Sequence, residues 1–350
     1  IGGSPQVNID LTHCISDTRP IIIFSKKPSN NQFREMYNLP GVRVLDLHQW
    51  IDRKFLHFIN FFFRGVLASW INKQKQPVVF GGESLFFYKM VPHFKTNVLT
   101  VELCHLDSWL SYSIGFIDKI NKRCFSTEKL KQKVETQYRE NNLPESYFSR
   151  LFFLDNAIDF PGEYQNHSPR LQVFYIGRGS PQKRVPLIAE IASSLHQKNA
   201  AVDFSFVGDV EKVIDPVQLP FCTFYGNVKS QDKMQELYKK ADVLLMTSAF
   251  EGLPVVIMQM MAHGKVVVST PVGGIPDYIF DNLNGLILNN GAEPQIVEEG
   301  IKAIEKLASD IQLRERLGAK SREIAIQKFS REAFCRNYRK LLELDQRLKT

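Results

Sequence analysis

Three short segments set charged side chains beside glycine turns, a combination suited to phosphate and sugar. In Phe250-Glu251-Gly252-Leu253-Pro254 a carboxylate sits on a tight turn after an apolar run that ends near Met246. Glu251 can accept two hydrogen bonds from sugar hydroxyls. Pro254 suits the first turn of a following helix, where a missing N–H costs nothing. The free amides of Gly252, Leu253 and Val255 then suit an anion or a hydroxyl. Thr270-Pro271-Val272-Gly273-Gly274-Ile275-Pro276 repeats the device one strand later. Two helix N-termini at neighbouring strand ends make a cradle for a diphosphate. The third segment runs from Tyr175 through Gly177, Arg178 and Lys183 to Arg184. Its two cations, Arg178 and Lys183, can neutralise a departing diphosphate without a metal. Taken singly, each segment is as well explained by a packing turn or a solvated loop. The case rests on all three occurring together.

Such segments need strands that end where they begin. In the second half, strand patterns fall at 172–176, 203–207, 221–225, 243–246, 266–269 and 285–288. Helix patterns fall at 186–198, 231–240, 254–262, 275–281 and 294–307. This alternation predicts a parallel sheet covered on both faces, with ligands at the carboxyl ends of its strands. The first half reads as α/β too, with strands at 21–25, 43–46, 78–80, 97–102 and 122–126 and helices at 6–16, 53–73 and 127–141. A polar stretch at 162–170 looks like a linker. The expected domains are therefore 1–161 and 162–329, followed by a charged helix pattern at 330–348. The chain opens at Ile1-Gly2-Gly3-Ser4 with no apolar strand ahead, so the native start is expected to lie further upstream.

The composition fits this plan. The 350 residues are 44% hydrophobic and 23% charged, which suits two globular domains. The net charge is +7, with 20 basic and 15 acidic residues in 1–160 and 24 against 22 in 161–350. So mild an excess fits an anionic substrate or a membrane surface and does not call for nucleic acid. Five scattered cysteines without a Cys-x-x-Cys pair argue against a disulfide framework or a zinc site, and no signal peptide is visible. Together these predict a cytoplasmic protein. The aromatic stretch 55–71 is too short and too polar to span a bilayer, since His57, Asn60 and Arg64 interrupt it. It reads as a helix with a wide buried stripe, or as an interfacial helix helped by Arg53, Lys54, Lys73 and Lys75.

In order along the chain, Gly-Arg-x-x-Pro-x-Lys at 177–183, Phe-Glu-Gly-Leu-Pro at 250–254, Gly-Gly-Ile-Pro at 273–276 and Asn284-Gly285-Leu286 resemble family 4 of the retaining glycosyltransferases. Residues 153–159, the glycines Gly2 and Gly3, and the pattern at 330–348 are similar to that family in outline. The resemblance implies a GT-B fold. In it, two Rossmann-like domains face across a cleft and a C-terminal helix crosses back to the first. It also implies site roles. Arg178 and Lys183 would bind the donor diphosphate, and Glu251 would hold the donor sugar. Gly177, Gly252, Leu253, Pro254, Gly273 and Gly274 would bring backbone close to the donor. Gly2 and Gly3 would approach the phosphates, and His105 would lie near the reacting sugar, while His13 and His263 are left structural. One position departs from the pattern. The family carboxylate that grips the nucleotide ribose is replaced by Gln259, which cannot offer a charged acceptor.

The expected activity is retaining transfer of a hexosyl or N-acetylhexosaminyl group from a nucleoside-diphosphate sugar. The acceptor would be a glycan or a lipid-linked molecule, and no metal is expected. Peripheral contact with the inner membrane face fits the basic first domain. The alternatives are a catalytically silent donor-binding subunit, motivated by Gln259, and a nucleotide-sugar epimerase. A dinucleotide-dependent oxidoreductase lacks its Gly-x-Gly-x-x-Gly run.

Overall fold

The structure is a computed structural model that describes residues 3–26, 32–52, 57–105, 107–162 and 168–347. Gly2, Arg53, Lys54 and most of the 162–170 stretch lie outside the described residues. Contacts divide the chain into two units, residues 1–157 with 331–350, and residues 158–330.

The second unit is built on one six-stranded sheet. Its strands are β7 (Leu171–Ile176), β8 (Val202–Val207), β9 (Thr223–Phe224), β10 (Val243–Met246), β11 (Val266–Ser269) and β12 (Gly285–Ile287). All pairings are parallel, in the order β12-β11-β10-β7-β8-β9. Runs such as Val243-Leu244-Leu245-Met246 are apolar at every position because helices cover both faces of the sheet. The helix Val185–Gln197 buries Val185, Ile188, Ile191, Ala192 and Leu195, a helical spacing, against the sheet. Each fully buried valine, isoleucine or leucine among them contributes roughly 1.5–3 kcal/mol.

Two local expectations are corrected. Residues 275–281 do not form a helix, and only Ile275–Asp277 makes a single 3-10 turn. The buried Asn284 side chain accepts from the Phe280 amide at 2.7 Å and donates to the Tyr278 carbonyl at 2.8 Å, which closes the chain into a turn instead. Pro254 precedes the helix Val255–Ala262 with an extended ψ of 128° and is not its first residue.

The first unit holds two separate parallel arrays. β1 (Ile21–Phe24) pairs with β2 (Arg43–Asp46), while β3 (Val78–Gly81), β4 (Leu99–Cys104), β5 (Lys122–Phe125) and β6 (Leu151–Phe153) form a four-stranded sheet in chain order. The helix Arg331–Leu341 packs Phe334, Tyr338 and Leu341 with Val7 and Leu11 of the helix Gly3–Cys14 against Val101, Leu103 and Cys124. A fully buried polar cluster lies in this unit. Arg123 donates to Glu102 at 2.5 Å, to Tyr138 at 2.6 Å and to Ser113 at 2.5 Å, and Tyr88 donates to the other Glu102 oxygen at 2.5 Å.

The cysteine expectation is also corrected. Cys14 and Cys335 form a disulfide with their Cα atoms 5.1 Å apart, joining the helices Gly3–Cys14 and Arg331–Leu341. Spacing gave no hint of it because the partners are 321 residues apart and meet only through helix packing. Cys104, Cys124 and Cys222 are not in disulfides. No helix among the described residues is long and apolar enough to cross a membrane.

Candidate functional site

In the second unit the strand order reverses between β7 and β10, so the connections from these two strands leave in opposite directions. In an open parallel sheet, that reversal opens a crevice outside the carboxyl ends of the two strands. The loop after β7 is Gly177–Arg184, and the loop after β10 is Thr247–Pro254, so two of the three segments singled out above meet at the reversal.

The Lys183 ammonium lies 2.5 Å from Glu251 Oε1, with the side chains only 13% and 7% exposed. A lysine and a carboxylate held together with so little water form a compact polar focus, because their attraction is less screened than at an open surface. Arg178, one turn earlier on the loop, is exposed. The Tyr175 phenol is pushed up first by burial and then by the Glu251 and Asp209 carboxylates, with Arg178 opposing. The same phenol donates to the Arg178 carbonyl at 2.8 Å and fixes the loop from below.

The two loops are stitched together. Arg184 donates from Nε to the Thr247 carbonyl at 2.6 Å, and from Nη2 to the Ser248 carbonyl and to Asn290 Oδ1, each at 2.8 Å. Thr247 returns a bond to the Arg184 carbonyl at 2.9 Å, and Gln182 donates to the Phe250 carbonyl at 2.7 Å. Arg184 is a positioning residue that the sequence reading passed over. A loop arginine carries no signal that distinguishes a brace from a solvated side chain.

The third segment, after β11, closes onto the second. Thr270 donates to the Ser248 carbonyl at 2.7 Å, and the Gly274 amide to the Gly252 carbonyl at 2.9 Å. Gly273 has φ +62°, and a Cβ on it would sit 1.9 Å from the Glu251 carbonyl oxygen, so only glycine lets the loops come this close. Gly252 differs. A Cβ there meets nothing within 4 Å, so neither packing nor a left-handed backbone explains the glycine. It leaves open space directly beside Glu251 and before the N-terminus of the helix Val255–Ala262, whose first amides have no intrahelical acceptor.

Gln259 lies about one turn into that helix. Its Oε1 is buried and has no hydrogen-bond partner among the described residues. An orphaned buried acceptor is costly, which marks the position as one where a donor from outside the chain would be welcome. The predicted residues Gly177, Arg178, Lys183, Glu251, Gly252, Leu253, Pro254, Gln259, Gly273 and Gly274 all belong to the second unit. His105 and Gly3 belong to the first. Gly3 opens the helix Gly3–Cys14. His105 follows β4; its amide donates to Glu83 Oε1 at 2.6 Å, and its Nε2 is buried without a partner among the described residues. Burial lowers its pKa, which favours the neutral imidazole. Glu83, at φ +49° after Gly81-Gly82, was missed; two glycines directly after a strand were the available sign. Among the described residues, no group of three or more His, Cys, Asp or Glu is placed to hold a metal ion.

This sheet order, with glycine turns at the reversal, is that of a doubly wound Rossmann-like domain, and the likeness to solved structures makes the fold GT-B. Residues 170–310, which contain all three segments, match the family described as Glycosyl transferases group 1. The chain is 26% identical over 214 residues to an uncharacterized glycosyltransferase of Methanocaldococcus jannaschii, covering 59% of this chain and 58% of the relative. It is 26% identical over 235 residues to the poly(ribitol-phosphate) alpha-N-acetylglucosaminyltransferase of Staphylococcus aureus, covering 65% and 45%. The chain thus spans only about half the length of these relatives. Among solved structures, Anabaena HepE in complex with UDP is similar with a TM-score of 0.69 at 14% identity, over 98% of this chain and 96% of that one. TarM is similar with a TM-score of 0.61 at 20% identity, over 81% and 58%. These two likenesses show the fold.

Proposed function

We propose that the chain transfers a hexosyl or N-acetylhexosaminyl group from a nucleoside-diphosphate sugar to a glycan or lipid-linked acceptor, with retention at the anomeric carbon. The observation that carries this reading is the Lys183–Glu251 pair at the sheet reversal, flanked by the open space at Gly252. Glu251 accepts from donor hydroxyls, and the amides around Gly252, Gly273 and Gly274 approach the phosphates. Arg178 and Lys183 meet the negative charge that grows on the leaving diphosphate as the sugar becomes cation-like. A donor phosphate must compete with Glu251 for Lys183, so binding exchanges one ion pair for another and costs less than desolvating a free ammonium. The reading assigns this charge to the two cations rather than to a metal. The role of His105 at the reacting sugar rests on the resemblance alone. The relatives named as glycosyltransferases and the HepE complex with UDP support a nucleotide-sugar donor.

The test is release of nucleotide from a panel of nucleotide sugars, with product stereochemistry read by NMR. Release from at least one donor is expected, and it should persist in a strong chelator. No release from any donor, or complete loss on chelation, overturns the reading.

A second reading, a donor-binding subunit without turnover, draws on Gln259. It predicts donor binding by calorimetry with neither transfer nor slow hydrolysis. Under either reading Gln259→Glu should tighten donor binding by about tenfold, because it restores a charged acceptor toward the ribose.

A further inference from the structure

The helix His57–Asn72 turns an unusual face outward. Phe58 is 69% exposed, Phe61 66%, Phe62 64%, Val66 47% and Trp70 41%. At 100° per residue these positions, with the exposed Gly65 and Ser69, fall on one continuous side of the helix. The opposite side carries Leu67 and Ile71, which are buried against Met90 and Val98. The helix is therefore anchored by its inner face, and among the described residues no other element covers its outer aromatic face.

Charge surrounds that face unevenly. Residues 57–98 contain five lysines and arginines (Arg64, Lys73, Lys75, Lys89 and Lys95) and a single carboxylate, Glu83. Glu83 is directed elsewhere, to the His105 amide. Where the aromatic face ends, Ser69, Asn72, Lys73, His93 and Lys95 line a cleft of about 320 Å³. Asn72 holds the cleft together, donating to the His93 carbonyl and accepting from the Lys95 amide, each at 2.9 Å. Lys73 and Lys95 are both exposed at its rim.

We propose that this face docks the first unit onto an anionic phospholipid bilayer. The phenylalanines and Trp70 enter the boundary between headgroups and acyl chains, while Lys73 and Lys95 meet a lipid phosphate in the cleft. Bulky aromatics on one side of a helix that is too short and polar to span, bordered by cations, suit a helix lying in the interfacial plane. An exposed apolar patch of this kind marks either a membrane or a protein contact. The five-to-one charge imbalance favours the anionic surface, because each cation near such a membrane adds to binding. The proposal is independent of the sugar chemistry in the second unit.

The experiment is flotation of the full chain with vesicles of phosphatidylcholine alone, and with vesicles of phosphatidylcholine and phosphatidylglycerol in roughly equal parts. The chain should float with the anionic vesicles, release in high salt, and show a blue shift of tryptophan emission as Trp70 leaves water. Phe61→Ser with Phe62→Ser should lower vesicle partition by about tenfold or more. Lys73→Glu with Lys95→Glu should lower it by a similar factor and flatten the salt dependence. All four positions are exposed, so each variant should keep the parent melting temperature, which confirms that it folds. Flotation unchanged in the phenylalanine variant, equal flotation with neutral vesicles, or no flotation with either would overturn the proposal. So would a dimer in sedimentation that the phenylalanine variant converts to monomer, because the face would then belong to a second copy.

Discussion

Lys183 and Glu251 concentrate opposite charges in a nearly dry spot, and the reaction assigned to them makes their contributions separable. In the proposed reaction Lys183 acts as the diphosphate departs, so Lys183→Ala should lower turnover about a hundredfold or more while donor affinity falls less. Arg178→Lys should also slow the reaction, because lysine lacks the planar fork that grips two phosphate oxygens. Steady-state kinetics with the best donor checks both, and full activity in Lys183→Ala would remove this role. At this scale the sequence was informative where chemistry comes in contiguous runs. Glu251, Gly252 and Gly273 were legible because turn glycines and a carboxylate sat beside apolar strands. Arg184 was not, since its partners Thr247, Ser248 and Asn290 are more than sixty positions away and loop arginines usually face water.

Among the elements, strands buried on both faces announce themselves. β10 and β11 occupy the predicted residues 243–246 and 266–269 because every side chain in them is apolar or small and has no solvent face to fill. β6, at Leu151–Phe153, was missed because it has only three residues, too few for any period to show. The helix Ile311–Phe329 was missed because its apolar positions are diluted by charges. The sheet of the first unit also encloses something no periodicity reveals, the Glu102–Arg123 pair on adjacent strands β4 and β5, both side chains essentially without solvent contact. Its bonds to Tyr88, Tyr138 and Ser113 satisfy the group from several elements at once. Removing one partner strands the other charge in the interior. Glu102→Ala should cost about 3–5 kcal/mol of stability, measured by urea unfolding, whereas replacing both residues with apolar ones of similar volume should cost less.

For the whole molecule, two histidines set an acid limit. Burial lowers the pKa of both His105 and His263 below the ordinary 6.5. As pH falls through that value the unfolded chain takes up protons that the folded chain refuses, so stability falls with pH in this range. Carboxylates held low by partners, such as Asp17 beside Arg339 and Asp46 beside His48, lose their contribution only in more acidic solution, below 3.8. The urea midpoint should therefore drop between pH 7 and pH 5, and His105→Asn with His263→Gln should flatten the drop; a parent midpoint that does not move would contradict it. The disulfide acts at the same scale but through topology. Cys14 and Cys335 are 321 positions apart, so the oxidised polypeptide between them is a closed ring. An unfolded ring explores less space than an unfolded line, a difference of roughly 2–5 kcal/mol in favour of the fold. A ring also has no single breaking point. One proteolytic cut anywhere between the two sulfurs opens the loop without releasing a fragment, and the pieces part only when a reductant severs the second connection.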